Sequence, residues 1–196
     1  MANKHALTAA DILAPAAYAA IRREMRAEVS ARKKNRRVAV GPHVTFYFEC
    51  YDTMRLQVQE MVYIEKGGEE QVQDELLAYN PLIPNGHELV ATFMIEVDDP
   101  ERRHRLLGRL GGVEETAFVS VGGHKIMGVP EADQDRTTAE GKASSVQFVH
   151  FPFTAEAIAA FRQPGAQVVL GLEHPAYSHM AVMPEPVRAE LAGDFD

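Results

Sequence analysis

Residues 117–129 read AFVSVGGHKIMGV. Two apolar, β-branched runs flank Gly122-Gly123, the pattern of a tight antiparallel hairpin. Antiparallel pairing here invites a search for strands that extend the sheet. On the C-terminal side, SSVQFVHFPF (144–153), AQVVLGLE (166–173) and YSHMAVM (177–183) are short and rich in β-branched or apolar residues. On the N-terminal side, ELVATFMIEV (88–97) alternates. VAVGPHVTFYFE (38–49) reads as a strand bent at Gly41-Pro42.

Helical periodicity dominates the first eighty residues. Ala17, Ile21, Met25 and Val29 repeat every four, so one helix is predicted to run to about Arg36. Thr8 and Asp11 form a weak capping box, Pro15 suits a first turn, and ARKKNRR (31–37) places cations at the negative end. MRLQVQEMVYIEK (54–66) is read as a helix stopped at Gly67-Gly68. A second helix, 69–79, stops at YNPLIP, where Pro81 is expected to push Asn80 out of helical geometry. Asp99-Pro100 caps ERRHRLLGRL, closed by Gly111-Gly112. Short helices follow at TAEAIAAFR (154–162) and 185–192. The predicted fold is α+β: a mainly antiparallel sheet of five to seven strands, with the long N-terminal helix and several shorter helices packed on it.

One domain is expected over residues 1–196: a basic helical arm (1–37) and an acidic α+β body (38–196). The net charge of −8 is unevenly spread. Residues 1–37 carry nine Lys/Arg against three Asp/Glu, a net +6, and the remainder carries −14. The two parts attract, within a chain or between subunits of a homo-oligomer, and the acidic body argues against nucleic acid. No apolar run has the ~20 residues of a membrane span, and the alanine-rich start, interrupted by Asp11, does not read as a signal peptide. With a single cysteine, Cys50, the expected setting is the reducing cytoplasm; Cys50 itself reads as structural.

Familiar nucleotide, hydrolase and zinc motifs are absent. Glu131, Asp133 and Asp135 have calcium-loop spacing, but Arg136 and Lys142 stand where glycine and a bidentate glutamate are required. That segment reads as a solvated loop. The carboxylates Glu49, Glu60 and Glu65 are more informative. On a helix, Met54, Val58, Met61 and Val62 share a face with Glu65; on a strand, Leu56, Val58, Val62 and Ile64 share one with Glu60. A buried carboxylate needs a cation, a metal or several hydrogen bonds. The simplest partner is an arginine of the basic arm, Arg36 or Arg37. A metal site would use Glu60, Glu65 and His174 as ligands to a divalent cation, Glu49 as a base and Arg37 as an anion clamp. An anion pocket without chemistry would use the same arginines and carboxylates. His174-Pro175, with Tyr177 and His179 close behind, marks a strand end where sites are often built.

The series RRVAVGP, FE at 48–49, QVQEMVYIE, DELLAYNPLIP, ATFMIEVDD, ERRHRLLGRLGG, KASSVQFVHF and HPAY, in that order, resembles an uncharacterised bacterial family, domain of unknown function 3501, over residues 8–192. The matching stretches contain Arg36, Arg37, Glu49, Gln59, Glu60, Glu65, Tyr79, Asn80, Glu96, His174 and Tyr177. The chain departs from the family pattern at Gln147, His150 and Glu173. The resemblance implies a cytoplasmic, stand-alone protein with no assigned activity. It also implies gene neighbours of rubrerythrin-like and iron–sulfur oxidoreductase type, hence an accessory or regulatory role beside a redox-protein partner. With one cysteine the chain holds no cysteine-ligated cluster by itself.

Overall fold

Gly122 and Gly123 both take positive φ, 56° and 83°, the pair of left-handed residues that a two-residue hairpin turn needs. The structure is a computed structural model that describes residues 4–131, 137 and 141–196. The turn joins β4 (Ala117–Val121) to β5 (His124–Met127), pairing Phe118 with Met127 and Val119 with Ile126. β4 also pairs with β8 (Val168–His174), and β8 with β9 (Tyr177–Val182). Among the described residues these make a four-stranded sheet of order β5-β4-β8-β9.

A second, five-stranded sheet has the order β1-β2-β3-β7-β6. Its strands are β1 (Arg37–Val40), β2 (Val44–Phe48), β3 (Glu88–Ile95), β6 (Val129–Pro130) and β7 (Val146–Pro152). Every pairing in both sheets is antiparallel. The protein is therefore α+β as expected, but its strands divide into two sheets instead of one of five to seven. The bend at Gly41 (φ 69°) is a full turn that splits 38–49 into two strands.

Alternation along β3 explains how the layers stack. Leu89, Ala91, Phe93 and Ile95 point toward the other sheet, where they share one core with Val119, Leu170 and Leu172. That core is closed by α5 (Ala155–Arg162), α6 (Glu185–Leu191) and a ring cluster of Phe153, Phe161 and Phe195, whose centroids lie 4.9 to 5.6 Å apart. Val90 points the other way and meets Met54, Val58 and Val62 of α2 (Tyr51–Glu65) and Leu76 of α3 (Gly68–Tyr79). Lys66, in the left-handed region at φ 59°, ends α2.

The long helix α1 (Pro15–Lys33) stops three residues short of Arg36, because the chain must turn there to enter β1. It packs on α2 rather than on a sheet and buries only Tyr18, Met25 and Val29 along its length. Asn80 corrects another expectation. It stays helical (φ −59°, ψ −38°), and Pro81 opens a new 3-10 turn, Asn80–Leu82. Proline is tolerated at the start of a helical turn, where its missing N–H is not needed. α4 (Pro100–Leu107) is capped by Asp99, whose side chain accepts from Arg102 N at 2.7 Å. The calcium-like spacing falls largely on residues 132–136, outside the described residues.

Candidate functional site

The three glutamates have three different surroundings. Glu60 faces α1: Arg22 donates to both its oxygens at 2.9 and 2.8 Å, and the Tyr18 hydroxyl donates to one of them. Those hydrogen bonds, Arg22's foremost, hold its carboxyl down to about 2. The expected arginine partner is thus present, but it is Arg22, not Arg36 or Arg37. Glu65 is exposed at the end of α2, where the apolar face has already run out, and accepts from Gln71 at 2.8 Å. Glu49 is buried and accepts from the Thr53 and Thr92 hydroxyls at 2.7 and 2.8 Å.

His174 belongs to the β8–β9 hairpin. Its Nδ1 accepts from Ala176 N, and its Nε2 lies 3.2 Å from the Gly111 carbonyl oxygen. Neither Glu60 nor Glu65 is among its neighbours, so the proposed ligand trio is not brought together. Among the described residues no three metal-ligating side chains converge. Tyr177 closes the β1–β2 turn. Its hydroxyl accepts from His43 N and Val44 N at 2.9 and 3.1 Å and donates to Val40 O at 2.8 Å. Arg37 is exposed at the start of β1.

Arg36 is the largest fully buried side chain of the described residues. It donates to the carbonyls of Phe48 and Glu49 and to Asp194, at 2.5 to 3.1 Å, with Glu190 at 3.4 Å. Burial works against its charge, but Asp194, Cys50 and Glu190 hold it protonated. The guanidinium therefore ties the chain's C-terminal turn to the end of β2, directly beneath the N-terminus of α2.

At that junction lies a cavity of about 530 Å³ that the sequence reading missed. Its walls come from segments far apart in the chain: Lys4 and His5, Arg32 at the end of α1, Cys50 to Asp52, Ile83-Pro84, and Gly193-Asp194. Cys50 is the N-cap residue of α2, in extended geometry, with its N–H donating to Thr53 Oγ1 at 2.9 Å. Arg32 lines the same cavity, and Arg36 donates to the carbonyl of Glu49, the residue before the cap. Lys4 donates to Tyr51 and Asp11, and His5 pairs with the carboxylate of Asp196 at 3.2 Å. Both guanidiniums are paired with carboxylates, Arg32 with Asp52 and Glu190 and Arg36 with Asp194. The available sequence signal was the strand-to-helix switch at FEC-YDT, with Asp52 and Thr53 in the first turn, which makes residue 50 the cap.

Fold and site together define a class: an α+β protein of two antiparallel sheets, carrying a polar cavity around one thiol at a strand-to-helix junction. The chain belongs to the family described as Protein of unknown function (DUF3501), which it matches over residues 6–195. It is similar to a crystal structure of a novel protein of unknown function from Burkholderia pseudomallei K96243. The two share 37% sequence identity at a TM-score of 0.90, covering 97% of this chain and 99% of that one. No curated protein matches. Among the described residues no helix is long and apolar enough to cross a membrane.

Proposed function

We propose that this protein is a thiol-bearing accessory factor of redox or peroxide metabolism, with Cys50 as its working group. One observation carries the reading: the single thiol of the chain is the N-cap of a four-turn helix on the wall of a polar cavity that Arg32 also lines. The chemistry available to it is exchange. The Cys50 sulfur attacks one sulfur of a partner's disulfide, the S–S bond breaks, and the leaving thiolate takes up the proton that Cys50 gave up. The chain has no second thiol to resolve the mixed disulfide. A thiol of the partner must release it, and that dependence makes the role accessory.

The test is intact-mass kinetics of the folded protein with oxidised glutathione. The expected product is a one-to-one mixed disulfide, absent in Cys50→Ser and formed several-fold more slowly in Arg32→Gln. If Cys50 reacts only after denaturant is added, the thiol is structural and the reading fails.

A further inference from the structure

A second candidate site lies on α4. Arg102, Arg105 and Arg109 are three and four residues apart, so they share one side of the helix. Gly108 keeps helical backbone (φ −64°, ψ −11°), and Arg109 N still donates to Leu106 O, which carries the turn on to Arg109. With His43, Val97 and Leu106, the three guanidiniums line a concavity of about 340 Å³.

Among the described residues no carboxylate lines it. Two of the acids nearest in sequence, Asp99 and Glu96, are turned to other work, and Asp98 is exposed and forms no ion pair among the described residues. Asp99 caps α4, and Glu96 accepts from the hydroxyls of Thr45 and Tyr47. Glu101 reaches only Arg105, at 3.5 Å and from an exposed position. Among the described residues Arg102 and Arg109 have no ion-pair partner. Arg22, Arg32, Arg36 and Arg188, by contrast, all pair with carboxylates. On a chain of net charge −8, a concavity lined by three guanidiniums, with only an exposed Glu101 against one of them among the described residues, stands out. Like charges on one helix face repel, and a bound anion relieves that repulsion.

We propose that this concavity binds a phosphoryl group, supplied as inorganic phosphate or by a small phosphorylated molecule. Three cations match a multiply charged anion better than a single carboxylate. Guanidinium forks also pair with phosphate oxygens two at a time. The volume sits at the small end of ligand pockets, enough for a phosphate and a few further atoms. The site is independent of the Cys50 cavity, so either reading can fail without the other.

The experiment is calorimetric titration at low salt with inorganic phosphate and, separately, with glycerol 3-phosphate. One-to-one binding is expected, weakened about a hundredfold in Arg102→Gln/Arg109→Gln, since each lost charge-assisted contact is worth roughly tenfold. Both arginines are exposed and make no side-chain hydrogen bond or ion pair among the described residues, so the thermal midpoint is expected to stay unchanged. Tighter binding of glycerol 3-phosphate would assign the site to a phosphorylated molecule, and equal binding to phosphate itself. No saturable heat below about 10 mM for either probe would overturn the proposal. So would an equal loss in Arg23→Gln/Arg26→Gln, which removes the same charge from α1.

Discussion

Replacing Arg36 by methionine removes the cation bonded to both oxygens of Asp194 and leaves that carboxylate buried. The wild-type guanidinium satisfies two backbone carbonyls and both oxygens of Asp194 at once. Breaking one side of a buried pair costs about 3–5 kcal/mol, because the remaining charge stays uncompensated. For a chain of this length, that is a fall of roughly 10 °C in Tm. The pH dependence follows from Asp194. Burial already pushes its carboxyl above the ordinary value, with Arg36 pulling the other way; without Arg36 it rises further. A carboxyl raised in the folded state binds more protons folded than unfolded, so stability increases as pH falls from its folded pKa toward its unfolded one. The Arg36→Met deficit should therefore be greatest at neutral pH and shrink on acidification. Urea midpoints at pH 7.5 and 5.5 measure both effects, and adding Asp194→Asn should recover part of the loss. A deficit under about 1 kcal/mol, or one indifferent to both pH and Asp194→Asn, would refute the account of Arg36 as a buried clamp.

Other substitutions probe separate links. Glu60→Gln should lower the urea midpoint at pH 7. Because the Glu60 carboxyl is held at about 2, its contribution is present above the unfolded carboxylate pKa, so the gap to wild type should close as pH falls from about 4.5 toward 2. Tyr177→Phe leaves the His43 and Val44 N–H groups and the Val40 carbonyl short of a partner. It should cost about 1–3 kcal/mol in chemical denaturation without altering Cys50 reactivity. Gln147→Met tests an orphan acceptor. Gln147 is fully buried; its Nε2 donates to Ser144 O at 3.1 Å, and its Oε1 has no hydrogen-bond partner among the described residues. The lost bond and the relieved acceptor offset each other, so unfolding stability in urea should change by less than about 1 kcal/mol. Asn80→Ala removes the carboxamide that pairs with both Leu7 N and Leu7 O; amide exchange over residues 4–13 should accelerate while the β3 amides stay protected.

What the sequence could show was what is local. The Gly122-Gly123 turn and the Asp99-Pro100 cap are short-range matters of backbone conformation, and each appears where its residues place it; the stop expected at Gly67-Gly68 falls earlier, at left-handed Lys66, and Gly68 already opens α3. Partner choice is not local. β3 pairs with β7 across more than fifty residues, Thr92 beside Phe148, and nothing in either strand's alternation says which sheet it joins. The same holds for charge. That a basic arm meets an acidic body was legible from composition; that Arg22 meets Glu60 and Arg32 meets Asp52 depends on α1 lying antiparallel to α2. Periodicity also misled at Glu65. The 3.6-residue repeat aligns it with Met54 and Val58, but the helix has by then passed the edge of the sheet it covers, and the side chain is in solvent. Cys50 was hidden for a related reason, since its surroundings come from the two ends of the chain.

The tethering of segments far apart in sequence is the strongest structural argument that the cavity matters. Fixing each residue costs about 1–2 kcal/mol of backbone entropy, which contacts must offset. Here residues 4–5 and 193–196 are fixed beside the same thiol. His5 pairs with Asp196, the final residue, and its Nδ1 lies 2.7 Å from the Pro84 carbonyl. Arg36 and Arg32 hold the C-terminal turn through Asp194 and Glu190. Gln59 and Asn80 each pair their carboxamide with both backbone groups of one N-terminal residue, Leu13 and Leu7, as a neighbouring strand would. A core alone needs none of this, since the aromatic and aliphatic side chains between the sheets are already buried without residues 4–6. What the tethered segments add is a wall of defined shape and charge around Cys50. The reactivity of that thiol in the folded state is therefore the property on which the arrangement should be judged.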